Sequence, residues 1–127
     1  MYITHKDSVD KRERKGLVSH FMFGQGDAGE EQLAVTWVDI IPGREQRLHH
    51  HPEVQVYVIV AGQGRMQVGD DRADVQRGDL VYIPADVPHG ITNTGTTTLS
   101  YVSCATPAFD LEEAYDRGQL TEAAYDE

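Results

Sequence analysis

Short segments rich in Val, Ile, Thr and Tyr, cut apart by glycine and proline, run through the middle of this 127-residue chain. Leu17 to Phe23 and Leu33 to Ile41 read as strands, the second closed by Pro42-Gly43. Val54 to Val60 is a dense β-branched run that Gly62 stops. Arg65 to Val68 and Arg72 to Val75 flank Gly69-Asp70-Asp71, a hairpin signal. Leu80 to Ile83, Gly90 to Thr92 and Thr96 to Cys104 complete the series. Many short strands at near-regular spacing imply an all-β sandwich or barrel. The length suits one domain over residues 1–127, with a barrel core about 17–104 and a tail over 105–127. Leu111 to Tyr125, rich in Glu, Ala and Leu, predicts short helical turns in that tail.

Charge narrows the partners. Eleven basic residues against 21 acidic ones give −10. A surface this acidic repels phosphates, so nucleic acid is not an expected partner, and no polybasic membrane anchor is present. No apolar run approaches the ~20 residues of a membrane helix. The polar stretch Met1 to Lys15 does not resemble a secretory signal, and the single cysteine, Cys104, fits a reducing compartment. The expected location is cytoplasmic. Residues 109–127 carry −6 and the first fifteen +2. Both ends read as solvated termini or, alternatively, as a basic head that meets the acidic tail of another copy.

The histidines carry the chemistry. Three of the six are consecutive: His49, His50 and His51. Such clusters also occur on surfaces by chance. On a strand, however, residues two apart share a face, so His49 and His51 face one way and His50 the other. Two imidazoles on one face can meet a divalent metal together with a third from another strand. His89, approached through Pro84 and Pro88, is the candidate third.

Gly43 to Gly62, GREQRLHHHPEVQVYVIVAG, resembles the first motif of the cupins, G-x5-H-x-H-x3-E-x6-G. Gly43, His49, His51 and Gly62 fall in register, and Gln55 stands where the family usually has Glu. Gly78 to Asn93, GDLVYIPADVPHGITN, resembles the second, G-x5-P-x-G-x2-H-x3-N, with Gly78, Pro84, His89 and Asn93 in register and Asp86 in place of Gly. Fifteen residues, Gln63 to Arg77, separate them. The resemblance implies a cupin-type double-stranded β-helix, a jelly-roll barrel with a metal inside its mouth. It implies a divalent ion (Mn, Fe, Ni or Zn) on His49, His51, Gln55 and His89. Some manganese-binding single-domain cupins and quercetinase-like proteins are similar in carrying Gln at this position. Single-domain cupins are often dimers, which points to a homodimer, with Leu17 to Phe23 long enough to pair across subunits. Asp86 is a mild change if the backbone there is left-handed, a conformation Asp tolerates. Gln55 leaves the ligand set uncharged, which keeps the full charge of the metal for Lewis-acid work.

Three further residues are candidates for catalytic roles. Alternation from His49 selects Arg47, which could hold a substrate carboxylate or form a rim salt bridge with Glu45 or Glu53. Glu53 reads as a solvated loop residue or as an acid or base near the metal. Tyr57, in step with Gln55, could orient a ligand or donate a proton, or could simply be core. Trp37, Tyr101, Phe21 and Phe23 are plausible apolar lining, more simply core. His5 and His20 match no ligand spacing, and Cys104 reads as a small buried side chain. Two functions fit. One is a metal-dependent enzyme acting on a small oxygen-bearing molecule as a dioxygenase, lyase or decarboxylase, or isomerase. The other is a binding module that holds metal or a small ligand without turnover.

Overall fold

The computed structural model describes residues 1–24, 26–28 and 32–107. Its strands are β1 (Lys11–Arg14), β2 (Leu17–Phe23), β3 (Ala34–Ile40), β4 (Glu45–His49), β5 (Val54–Ala61), β6 (Gln63–Val68), β7 (Asp71–Gln76), β8 (Leu80–Ile83), β9 (His89–Asn93) and β10 (Leu99–Thr106). They form two antiparallel sheets, ordered β1-β2-β3-β10-β5-β8 and β4-β9-β6-β7. No helix is present among the described residues. The helical turns expected over 111–125 lie outside them.

Turn chemistry fixes the hairpins. Lys15 and Gly16 both have positive φ (48° and 83°) between paired Arg14 and Leu17, the pattern of a type I′ turn. Gly69 alone is positive (59°) between paired Val68 and Asp71, as in type II′, so the turn is Gly69-Asp70 and Asp71 already belongs to the strand. Asp86 has φ 61°, which is why an Asp can stand where the motif has Gly. Gly62 turns β5 into β6 with φ 79°, and a Cβ there would meet the Thr98 carbonyl oxygen at 2.6 Å.

The inner faces of the two sheets form the core. Leu17, Val38, Ile40, Ile59, Met66, Ile83, Ile91 and Leu99 pack together in one cluster with Tyr57 and Tyr101. Asn93 closes the end away from the histidines: its Nδ2 donates to Ile40 O and Thr97 O, and its Oδ1 accepts from Gly95 N. The motif asparagine is therefore a turn clamp. His20 is structural as well. On the outer side of β2, its ring joins Lys6 O (2.7 Å) to Asp39 Oδ2 (3.1 Å), tying the N-terminal segment to β3. Trp37 serves the same outer network, donating Nε1–H to Asp39 Oδ1.

Two expectations need correction. β2 is paired on both sides within its own chain, by β1 and β3, so it has no edge to offer a second subunit. Cys104 is half-buried and alternates with the inward-facing Ser103 and Ala105; burial pushes its thiol up from the usual value.

Candidate metal centre

β4 and β9 run side by side and bring His49 directly opposite His89. The register slips between Gln46 and His49: Gln46 faces Ile91 while His49 faces His89, so β4 carries one extra residue. The bulge puts Gln46 and His49 on the same inward face. His51 lies just beyond β4, and its carbonyl accepts from Asp86 N at 2.8 Å, binding the loop that carries His89 to the loop that carries His51. Gly69 N donates to Pro88 O on the other side of that loop.

The three imidazoles stand within 4.3–5.8 Å of one another, centroid to centroid. A ligand nitrogen from each can be chosen so that all lie within 4.8 Å. Every Nδ1 faces a backbone carbonyl: His49 to Arg47 O (2.9 Å), His51 to Glu53 O (3.1 Å), His89 to Val87 O (2.9 Å). A neutral imidazole has one N–H, and these carbonyls claim it, so Nε2 is left as a lone pair on each ring. His89 Nε2 is fully buried and has no hydrogen-bond partner. Burial, with the neighbouring His89 second, pulls His49 down to about 3. Burial likewise pulls His89 down to about 4. Both rings are neutral at pH 7 and available as ligands.

Gln55 turns inward from β5 beside His51, with Oε1 3.0 Å from His51 Nε2. Its Nε2 donates to Ser103 Oγ on β10. An amide oxygen and a bare imidazole nitrogen are both acceptors and gain nothing from facing each other in isolation. Around a cation the contact is natural, because two ligands ~2.1 Å from one ion at a right angle stand about 3.0 Å apart. The donor set and the orphaned His89 nitrogen therefore fit a divalent ion, and His49, His51 and His89 could hold one. Glu53 is neither solvated nor aimed at that point. It is largely shielded, with Oε2 3.5 Å from His51 Nδ1, on the far side of the ring. Oε2 is itself buried without a hydrogen-bond partner, and the Nδ1 proton of His51 goes to the Glu53 backbone carbonyl instead.

Arg47 is placed elsewhere than alternation suggests, whereas Tyr57 faces inward in step with Gln55. The bulge turns Arg47 to the outer face of the smaller sheet, in a groove of about 280 Å³ shared with Arg65 and Arg72. Gln46 takes the inward place and accepts from Tyr57 OH (2.9 Å) and Tyr101 OH (2.7 Å). The two tyrosine rings stack at 4.2 Å, and Tyr57 meets His89 edge-on at 6.0 Å. Tyr57 is fully buried and its hydroxyl is pushed well above its ordinary value, so it floors the site and is a poor proton donor to it. Sequence reasoning missed Gln46 and Ser103. Ser103 was within reach, being in step with Tyr101; Gln46 was not, because a bulge leaves no composition signal.

The comparisons agree with this geometry. Residues 36–104 match the family model described as the cupin domain. An uncharacterized protein of Methanocaldococcus jannaschii is 34% identical over 76 residues, 58% of this chain and 61% of its own length. Oxalate decarboxylase of Bacillus subtilis is 33% identical over 66 residues, 48% of this chain and only 17% of the enzyme. In three dimensions, an RmlC-like cupin from Shewanella frigidimarina superposes with a TM-score of 0.72 at 20% identity, covering 87% of this chain and 94% of that one. With its two sheets, its motif histidines gathered at one end and more than half its length matched, this chain belongs to the cupin family.

Proposed function

We propose that this protein is a metal-dependent cupin that activates a small oxygen-bearing molecule on a centre formed by His49, His51, His89 and Gln55. The observation that carries the reading is the buried, partnerless Nε2 of His89, held among two other imidazoles whose protons are committed to carbonyls. A divalent ion bound there supplies Lewis acidity toward an oxygen of the substrate. The chain holds the rings in the ligand tautomer through Arg47 O, Glu53 O and Val87 O. It keeps bulk water from beneath them with the Tyr57–Tyr101 stack. The substrate class we favour is a small carboxylate or hydroxy-carbonyl compound that presents two oxygens. The resemblance to oxalate decarboxylase supports the carboxylate. The buried polar side chains include no Lys or Arg among the described residues, so the charge of such a substrate is balanced by the ion rather than by a protein cation. We also infer that two copies of the chain pair in solution.

Metal analysis of protein made without a histidine tag tests the reading. One divalent ion per chain is expected, and it should be absent from His89→Ala. Wild-type protein offered excess zinc, manganese or nickel and binding none would refute it. Turnover of oxalate or a hydroxy-carbonyl compound by the loaded protein separates an enzyme from a binding module, which would keep its ion and turn over nothing.

A further inference from the structure

Gln55 and Ser103 are diagonal neighbours on β5 and β10: Gln55 pairs with Ala105, and Tyr57 with Ser103. Both side chains are buried. The amide of Gln55 has two ends of nearly equal shape and opposite character, an acceptor oxygen and a donor NH2. The hydroxyl of Ser103 can take either end, accepting from the NH2 or donating to the oxygen. On its other side the amide faces His51 Nε2, an acceptor by virtue of the Nδ1 contact with Glu53 O.

Each orientation is then complete under one condition only. With the oxygen toward His51, as here, the NH2 is satisfied by Ser103 Oγ, and two acceptors confront each other at 3.0 Å. That arrangement is stable with a cation between the acceptors. With the amide turned over, the NH2 donates to His51 Nε2 and the oxygen accepts from Ser103 OH, so every polar atom of the trio is paired without any ion. Unpaired buried polar atoms are costly enough to make the amide choose.

We propose that Gln55 turns over when the metal binds or leaves, and that Ser103 is the positioning residue that makes both orientations possible. The inference rests on the metal-centre reading above. The turned amide masks the lone pair of His51 when the site is empty. The metal-free pocket is thereby protected, and the ion must displace one internal hydrogen bond to enter. An ionised glutamate at this position has no donor end and could not do this.

The test uses full-length protein with 15N in glutamine and histidine side chains, metal-free and then with zinc(II) alone. In the metal-free form, a nitrogen–nitrogen coupling across the hydrogen bond from Gln55 Nε2 to His51 Nε2 is expected. Zinc should abolish it and move the Gln55 NH2 signals. In the zinc form, Ser103→Ala should shift those NH2 protons upfield toward an unbonded amide, and Ser103→Thr should restore them. Zinc that moves the ring nitrogens of His49, His51 and His89 but leaves the Gln55 signals in place would overturn the switch and leave the metal centre standing. Zinc that moves no ring nitrogen would overturn both. Unchanged NH2 signals in the zinc form of Ser103→Ala would remove Ser103 from the device.

Discussion

Each histidine of the cluster has its proton spoken for by a carbonyl two residues away in sequence; for His49 and His89 that contact favours the proton, but burial outweighs it and pulls both rings down. His49 and His89 hold protons only below about 3 and about 4 in the folded, metal-free chain, against 6.5 for a free histidine. The unfolded chain therefore binds more protons than the folded one between those values. Stability of the metal-free protein is full above about pH 6.5 and declines as the pH falls toward 4, by on the order of 1 kcal/mol per pH unit for each of the two rings. Urea unfolding at several pH values should show this, and His89→Gln should remove about half of the slope. A wild-type profile flat from pH 7 to pH 5 would contradict it. Gln46 is the second residue whose loss is diagnostic. Gln46→Leu removes the acceptor shared by two buried tyrosine hydroxyls and should destabilise by about 1–3 kcal/mol in the same assay. The histidines were legible in the sequence because their spacing is a motif. The exchange of Arg47 for Gln46 was not, because alternation counts residues and a bulge adds one.

At the scale of strands, the legible parts were those with β-branched runs between turn residues. β1, KRER, is missing from the sequence reading, and β4, EQRLH, enters it only through the alternation of its histidine and arginine; the side chains of both are mostly polar. Such strands are held by their neighbours, not by their own propensity. β4 depends on β9 through Gly90. A Cβ at Gly90 would stand 2.8 Å from Gln46 O, 3.1 Å from Leu48 N and 3.2 Å from Arg47 C, all of them backbone atoms of the bulged strand. No side chain can rotate away, so Gly90→Ala must push β4 outward. The expected cost is about 1–3 kcal/mol, as for overpacking elsewhere. Because β4 carries His49, zinc affinity measured against a chelator should fall together with stability. An unchanged zinc affinity in a folded Gly90→Ala protein would show that the bulge does not position His49. The loop carrying His89 makes the contrasting case. Asp86→Gly should be tolerated, since φ 61° suits Gly better still, while Asp86→Val should lower the unfolding midpoint.

For the whole molecule, the open question of assembly turns on which sheet edges are free. The larger sheet ends in β1 on one side and β8 on the other. β1 is the charged sequence KRER, and charge along an edge discourages pairing with another chain. Among the described residues β8 has no strand on its outer side, and it exposes Leu80 (62%) and Tyr82 (57%), the composition of an edge that a second copy would cover. The expected dimer therefore joins β8 to its symmetry mate, and not the N-terminal strand that length alone would select. The net charge of −10 opposes this association at long range. Dimerisation should accordingly strengthen as salt rises to about 0.15 M, where the screening length is ~8 Å, because the contact itself is apolar. Light scattering should give twice 14.2 kDa for the wild type. Leu80→Lys with Tyr82→Lys should give a monomer that retains its zinc affinity, since neither side chain faces the histidines. A wild-type mass of 14.2 kDa at tens of micromolar and moderate salt would remove the dimer, and a dimer that survives the double change would move it to another face.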